Sequence, residues 1–305
     1  MKDRPNNRAA GIEIDKNMPE FRLRAKLAEY WAIFQGNRLT SLGAAITLLF
    51  LLLAVIGPGI APYDPNLAEL RDRLQGPSVQ HILGTDEMGR DVASRLLHGA
   101  RISTGVALLS VGLAVVFGVA LGATAGYFGG RWDMIAMRFV DVLLAFPSLI
   151  LAIALISVLE PGVSSLIIAV SVTRLPTLAR LARGSILATK EFDYVLAARC
   201  IGVSHRLILL RHLLPNAISP LVVQATLSTG GAIIHAATLG FLGLGVQAPT
   251  PEWGAMLSRG RTYTTVAPHV VLFPGLAIAL FVFGLNSFGD GLRDALDPML
   301  RRLAR

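Results

Sequence analysis

The 305 residues are 53% hydrophobic and only 16% charged, with a mean hydropathy of +0.59. Soluble domains carry about a quarter charged residues, so this composition excludes an ordinary water-soluble enzyme and predicts a membrane protein. The single cysteine, Cys200, excludes an intrachain disulfide and a multi-cysteine metal cluster, while the +8 net charge calls for an anionic partner or a topological bias.

Residues 1 to about 17 are polar and irregular, the composition of a disordered segment. Leu23, Leu27, Tyr30, Trp31 and Phe34 then form an apolar stripe interleaved with Arg22, Arg24 and Lys26, which predicts an amphipathic helix on a membrane surface. A spanning helix needs about 20 apolar residues. Residues 40–61 supply one without a charge, and the long, partly acidic stretch ahead of them predicts a retained span over a cleaved signal.

The second uncharged stretch, 102–130, contains GVALGATAG, whose small residues allow close helix packing in lipid. The third, 139–159, closes on Glu160-Pro161-Gly162. From Val163 the apolar run reaches only Thr173, so a fourth span must continue through Arg174 and Pro176, with the arginine snorkelling to a polar face. Residues 216–251 are too long for one span at about 1.5 Å per residue across a core of about 30 Å. They predict one helix followed by a shorter helix or loop over GFLGLGVQAPTP. The sixth span, 266–289, contains Pro274 and Gly275 and is expected to kink.

Six spans place both termini on one side. With the termini inside, 21 of the 28 Lys and Arg fall on inner segments and 7 on outer ones, so the positive-inside rule makes both termini cytoplasmic. The basic balance thereby becomes a topological signal without nucleic acid as a partner. The expected division is a cytoplasmic segment 1–39, a first helix 40–61, an external loop 62–101, a five-helix core 102–290 with an inner loop 180–215, and a tail 291–305.

That inner loop carries Val195, Leu196 and Ala198 before Gly202, and Leu207, Leu210, Leu213 and Leu214 after it at helical spacing. Two short amphipathic helices meeting at a glycine are predicted, the second stopped by Pro215. Such an elbow suits docking into a cleft of a soluble partner or lying on anionic lipid.

The segment AARCIGVSHRLILLRHLLPN resembles the "EAA" loop of permease subunits of bacterial ABC importers. Ala197, Ala198, Gly202, Leu214 and Pro215 match, while Leu196 replaces the family Glu and His212 the family Ile. APYDPN, LGTDEMGRDVASRLLHGARIS, GYFGGRWD, LAFPSL, LGLGVQAPTPEWGAML and FGDGLRDALDP follow in order. Together they resemble the C-type permease of dipeptide, oligopeptide and nickel importers. The resemblance implies an all-α, six-helix permease of the type I ABC importer fold in the bacterial inner membrane. Its implied partners are a homologous second permease, two ATP-binding subunits and an external solute-binding protein, and residues 196–215 would couple it to the ATPases. Short peptides are the expected cargo, with nickel chelates or oligosaccharides as alternatives.

No Lys follows a Gly anywhere, so a phosphate-cradling G-x-x-x-x-G-K-[ST] loop is absent; ATP and Mg²⁺ belong to the partner subunits, and this chain needs no cofactor. Asp86, in DEMGRD, reads as a helix cap, since the spacing does not fit a calcium loop. His81, His98 and His269 read as isolated residues, and no metal site is expected. His235, an ionisable residue within a span, is the candidate for the translocation path, with a neutral histidine bonded to a neighbouring helix as the alternative. Arg138 and Asp141 are expected to pair along one helix face. Cys200 lacks a neighbouring base and is not read as a nucleophile. An autonomous channel or ion-coupled carrier is the rival from another class, but Asp141 is its only acidic candidate within a span.

Overall fold

The computed structural model describes residues 38–296; the stripe of residues 23–34, the polar first 17 residues and the end of the tail lie outside the described residues. Every regular element among the described residues is helical. They are α1 (Arg38–Ile60), α2 (Val92–Phe128), α3 (Gly130–Leu144), α4 (Ser148–Leu159), α5 (Val163–Thr189), α6 (Asp193–Cys200), α7 (His205–Leu207), α8 (Leu214–Phe241), α9 (Trp253–Gly260) and α10 (His269–Leu296). A π-helical turn, Ile208–Leu213, joins α7 to α8. The chain is thus an all-α membrane protein, and its described residues hold five stretches long and apolar enough to span, with a sixth when α3 and α4 are taken as one broken span.

Helix packing follows the logic of lipid more than that of water. In α1 the buried residues are Thr40, Gly43, Thr47, Phe50 and Gly57, on one face, while Leu42, Leu48, Leu49, Leu52 and Val55 point outward. Apolar side chains gain nothing by leaving lipid, so helix interfaces collect small residues that let backbones approach. The same device joins α2 to α5. Gly118, Gly122 and Gly126 recur every four residues, and a Cβ on Gly118 or Gly126 would stand 2.9 Å from the carbonyl oxygen of Leu175 or Arg183. At Gly122 it would overlap the carbonyl of Ala179 outright.

The structure changes several expected boundaries. The helix expected over 102–130 starts ten residues earlier, at Val92, and runs for 37 residues, about 55 Å at 1.5 Å per residue. It therefore projects well beyond a hydrocarbon core of about 30 Å, and the last ten residues of the expected 62–101 loop are helix. The continuous span expected over 139–159 is instead α3 and α4, bent by 93° between Leu144 and Ser148. Pro147 precedes Ser148 and cannot donate back to residue 143, which ends the hydrogen-bond ladder there. Pro176, by contrast, is absorbed inside α5, as the sequence demanded, and Pro274 inside an uninterrupted α10. The GFLGLGVQAPTP segment is mostly loop, and the short helix follows it as α9.

At the end of the bundle formed by the start of α2, Phe50, Trp253 and Phe281 build an aromatic cluster. Phe50 stacks on Phe281 at 4.9 Å and meets Trp253 edge-on at 5.7 Å. The Trp253 indole donates to the Leu96 carbonyl at 3.1 Å. This wedges α9 among α1, α2 and α10, at the end opposite α6.

Candidate functional site

The elbow forms as its glycine requires. Gly202 has φ +78°, with Gly202 N–H donating to Arg199 O and Val203 N–H to Ala198 O, both at 3.0 Å. These bonds close α6 in a Schellman motif, whose left-handed position favours glycine. Leu196, Ala197, Gly202 and Pro215 are exposed, while Val195 and Ala198 turn inward to pack with Ala123, Tyr127, Ile186, Ile208 and Leu213. Phe192, Ile201 and Leu210 stand 51%, 80% and 62% exposed. The outer surface is therefore an apolar patch available to a partner.

Two expectations about this segment are corrected. Residues 180–189 belong to α5, so the irregular part is short. Pro215 does not stop the second helix but sits in the first turn of α8, and helix runs on from His205 to Phe241. The π turn explains this: Leu214 N–H donates to Leu209 O five residues back, which widens the helix where the proline has no N–H to offer. Asn216 Nδ2 then donates to His212 O at 2.7 Å and to Tyr194 Oη at 2.8 Å, tying α6 to the start of α8.

The elbow is fastened to the spans. Tyr127 Oη and His205 Nδ1 lie 2.8 Å apart, the Arg199 guanidinium sits over the Tyr127 ring at 5.5 Å, and Lys190 Nζ donates to Gly126 O at 3.2 Å. Arg183 reaches both carboxylate oxygens of Asp133, at 2.5 and 2.6 Å. Asp141, expected to pair with Arg138, instead meets Arg180 of α5 at 2.7 Å. Because α3 and α5 lie side by side, this cross-helix pairing wins over the local one. None of these contacts is visible in a sequence window, since the partners are 39 to 78 residues apart.

At the opposite end lies a buried polar centre. Asp86 does not cap a helix: it receives Met88 N–H, Arg90 N–H and Arg90 Nε, the last at 2.7 Å, and lies 3.4 Å from Arg95 Nε. The cap of α2 is Asp91, which accepts from Ser94 N–H at 2.7 Å and holds His81 Nδ1 at 2.9 Å. His81 is therefore paired, and His269 Nε2 lies 3.0 Å from Thr85 O. Among the described residues, no three His, Cys, Asp or Glu converge as a metal site.

Glu252 is not among the residues expected to form a site. Its two carboxylate oxygens accept from Gly254 N–H, Ala255 N–H and Ser103 Oγ, capping α9 and tying it to α2. Burial pushes this carboxyl above its ordinary range, against the pull of those three donors. An acid directly before Trp253-Gly254 was the available signal for a cap.

His235 lies on α8, with its Nδ1 buried and unpartnered. Four residues earlier, Gly231 faces Arg174: a Cβ there would lie 2.8 Å from Arg174 Nη2. Arg174 thus reaches across to α8 instead of snorkelling to a helix end. A cavity of about 610 Å³ between α5, α8 and α10 is lined by Leu181, Asn216, Ser219, Gln224, Leu227 and Arg293, among others.

Comparison with known proteins agrees with this architecture. Residues 118–302 match the family described as "Binding-protein-dependent transport system inner membrane component", and residues 26–77 match the "N-terminal TM domain of oligopeptide transport permease C". The chain is 45% identical over 266 residues to the dipeptide transport system permease protein DppC of Alkalihalophilus pseudofirmus, covering 87% of each chain. It is 45% identical over 280 residues to the glutathione transport system permease protein GsiD of Shigella sonnei, covering 92% of each. Among solved structures, an inward-facing form of the MetNI methionine ABC transporter aligns with a TM-score of 0.55 at 19% identity, over 66% of this chain and 96% of that one. That likeness establishes the fold, that of a type I ABC importer permease.

Proposed function

Since this chain belongs to the family of binding-protein-dependent transport system inner membrane components, a multi-pass protein of the bacterial plasma membrane, we propose that it is the half of an ATP-driven importer that passes short peptides. It works beside a homologous permease, above two ATP-binding subunits, with peptide delivered by an external binding protein. Peptide cargo is supported by the two relatives named for dipeptide and glutathione transport, each 45% identical to this chain. Hydrolysis of ATP is assigned to the partners, and the 21-to-7 basic bias supports cytoplasmic termini.

The observation that carries the mechanism is the anchored elbow. Leu196, Ala197, Gly202 and Pro215 are exposed, while Val195, Ala198 and the Leu213 and Leu214 turn pack toward the ends of α2 and α5. A push on the outer surface is thereby delivered to two spans, because packed side chains deform little. Leu196 offers an apolar contact where the family pattern has a carboxylate. Arg174, Gly231 and His235 on facing α5 and α8 are assigned to the path of the peptide.

The lone Cys200, exposed two residues from Gly202, provides the test. It is expected to crosslink to a cysteine introduced in the cleft of an ATP-binding subunit. Gly202→Pro, whose ring forbids the positive φ, is expected to leave the chain in the membrane but abolish hydrolysis stimulated by loaded binding protein. A Gly202→Pro complex that retains stimulated hydrolysis and uptake defeats the coupling role. Mass spectrometry of the ligand carried by the binding protein decides peptide against nickel chelate.

A further inference from the structure

Arg174 stands at the twelfth of the 27 residues of α5, well inside a span. A cation there is costly unless something answers it. Among the described residues no acid pairs with it, and its Nε is buried without a hydrogen-bond partner. Arg90 and Arg95, buried arginines among the described residues, both have Asp86. Arg174 is built into its place nonetheless: Gly231 leaves room for the guanidinium, and one turn further along α8 His235 offers a second buried, unpartnered nitrogen.

The position relative to the cavity adds direction. Leu181 lines the 610 Å³ space, and Arg174 lies seven residues from it on the same face of α5; Gln224 lines it from α8, and Gly231 lies seven residues on. Moving two turns along both helices therefore leads from the cavity to Arg174. The cavity lining contributes Arg293 and no Asp or Glu. A route with two cations and no carboxylate of its own is arranged for a ligand that brings one.

We propose that Arg174, seated over Gly231 and beside His235, binds the carboxylate of the peptide in transit. The planar guanidinium presents paired N–H groups that match a carboxylate in two-pronged geometry. This inference rests on the peptide reading above. It assigns to the permease a selection for acidic groups, separate from whatever the binding protein selects.

The test uses the assembled importer in proteoliposomes, with the binding protein saturated either by a tripeptide with a free C-terminal carboxylate or by the same tripeptide as its C-terminal amide. Arg174→Gln is expected to lower uptake of the free acid by about tenfold or more, the loss of one charged hydrogen bond, and to change amide uptake less than about twofold. Gly231→Ala, which places a methyl against Nη2, is expected to give the same selective loss, and Arg174→Lys a smaller one. If Arg174→Gln does not assemble, the Gly231→Ala and Arg174→Lys ratios decide by the same criterion. Equal loss for both peptides, or no change for either, overturns the site and makes Arg174 a partner of the second permease or a packing residue. A wild-type importer that carries neither peptide overturns the cargo reading and this site with it; one that carries both, without selective loss in the variants, overturns this site alone.

Discussion

The phenol oxygen of Tyr127, in the last turn of α2, lies 2.8 Å from Nδ1 of His205, the first residue after the elbow. Seventy-eight positions apart in sequence, these two residues join the 37-residue α2 to the exposed turn that we assign to the ATPase. Tyr127→Phe keeps the ring under Arg199 and removes only the hydroxyl, which in a neutral pair is worth about 1 kcal/mol. The complex is therefore expected to assemble normally while binding-protein-stimulated hydrolysis falls. Unchanged stimulation with an intact complex would show that the packing of Val195 and Ala198 suffices.

The α2–α5 seam makes a steric prediction. Gly122→Leu drives a side chain into the Ala179 carbonyl, where no rotamer change helps because the obstacle is backbone. Loss of folded protein from membranes, by size-exclusion profile after extraction, is the expected outcome. Gly112→Ala, on the same helix but with nothing within 4 Å of its Cβ, should retain wild-type yield.

Two ion pairs should differ widely in worth. Asp86→Ala leaves Arg95 buried without its acid and three N–H donors of the turn without their acceptor, a loss of about 3–5 kcal/mol typical of breaking a buried pair. Asp141→Ala removes a pair whose members are 46% and 54% exposed, so at most about 1 kcal/mol is expected. Thermal unfolding in detergent should separate the two by many degrees; similar shifts would contradict the burial argument.

Glu252 predicts a pH dependence. Its carboxyl is raised by burial, so the folded state holds a proton between the ordinary carboxylate value and the raised one, where the unfolded chain has released it. Its contribution is fully present below the unfolded value and is lost as pH rises through the folded one. Glu252→Gln should flatten that segment of the stability profile. It should also lower stability overall, because an amide cannot accept through both atoms the bonds from Gly254 and Ala255.

Residue order by itself determined the membrane character, the helical class, the approximate place of each span, the passage of α5 through Arg174 and Pro176, and the glycine elbow at Gly202. These are consequences of local composition: apolar length, the absent N–H of proline and the steric freedom of glycine act within a few residues. Tertiary structure decided the rest. Pro147 ends a helix while Pro176, Pro215, Pro220 and Pro274 are absorbed, a difference set by whether the surrounding backbone can widen or re-pair the freed carbonyls. It chose Asp91 over Asp86 as the cap, Arg180 over Arg138 as the partner of Asp141, and Gly231 as the seat of Arg174. Each of these choices compares a local contact with one made across helices, and only the packed bundle brings the second competitor within reach.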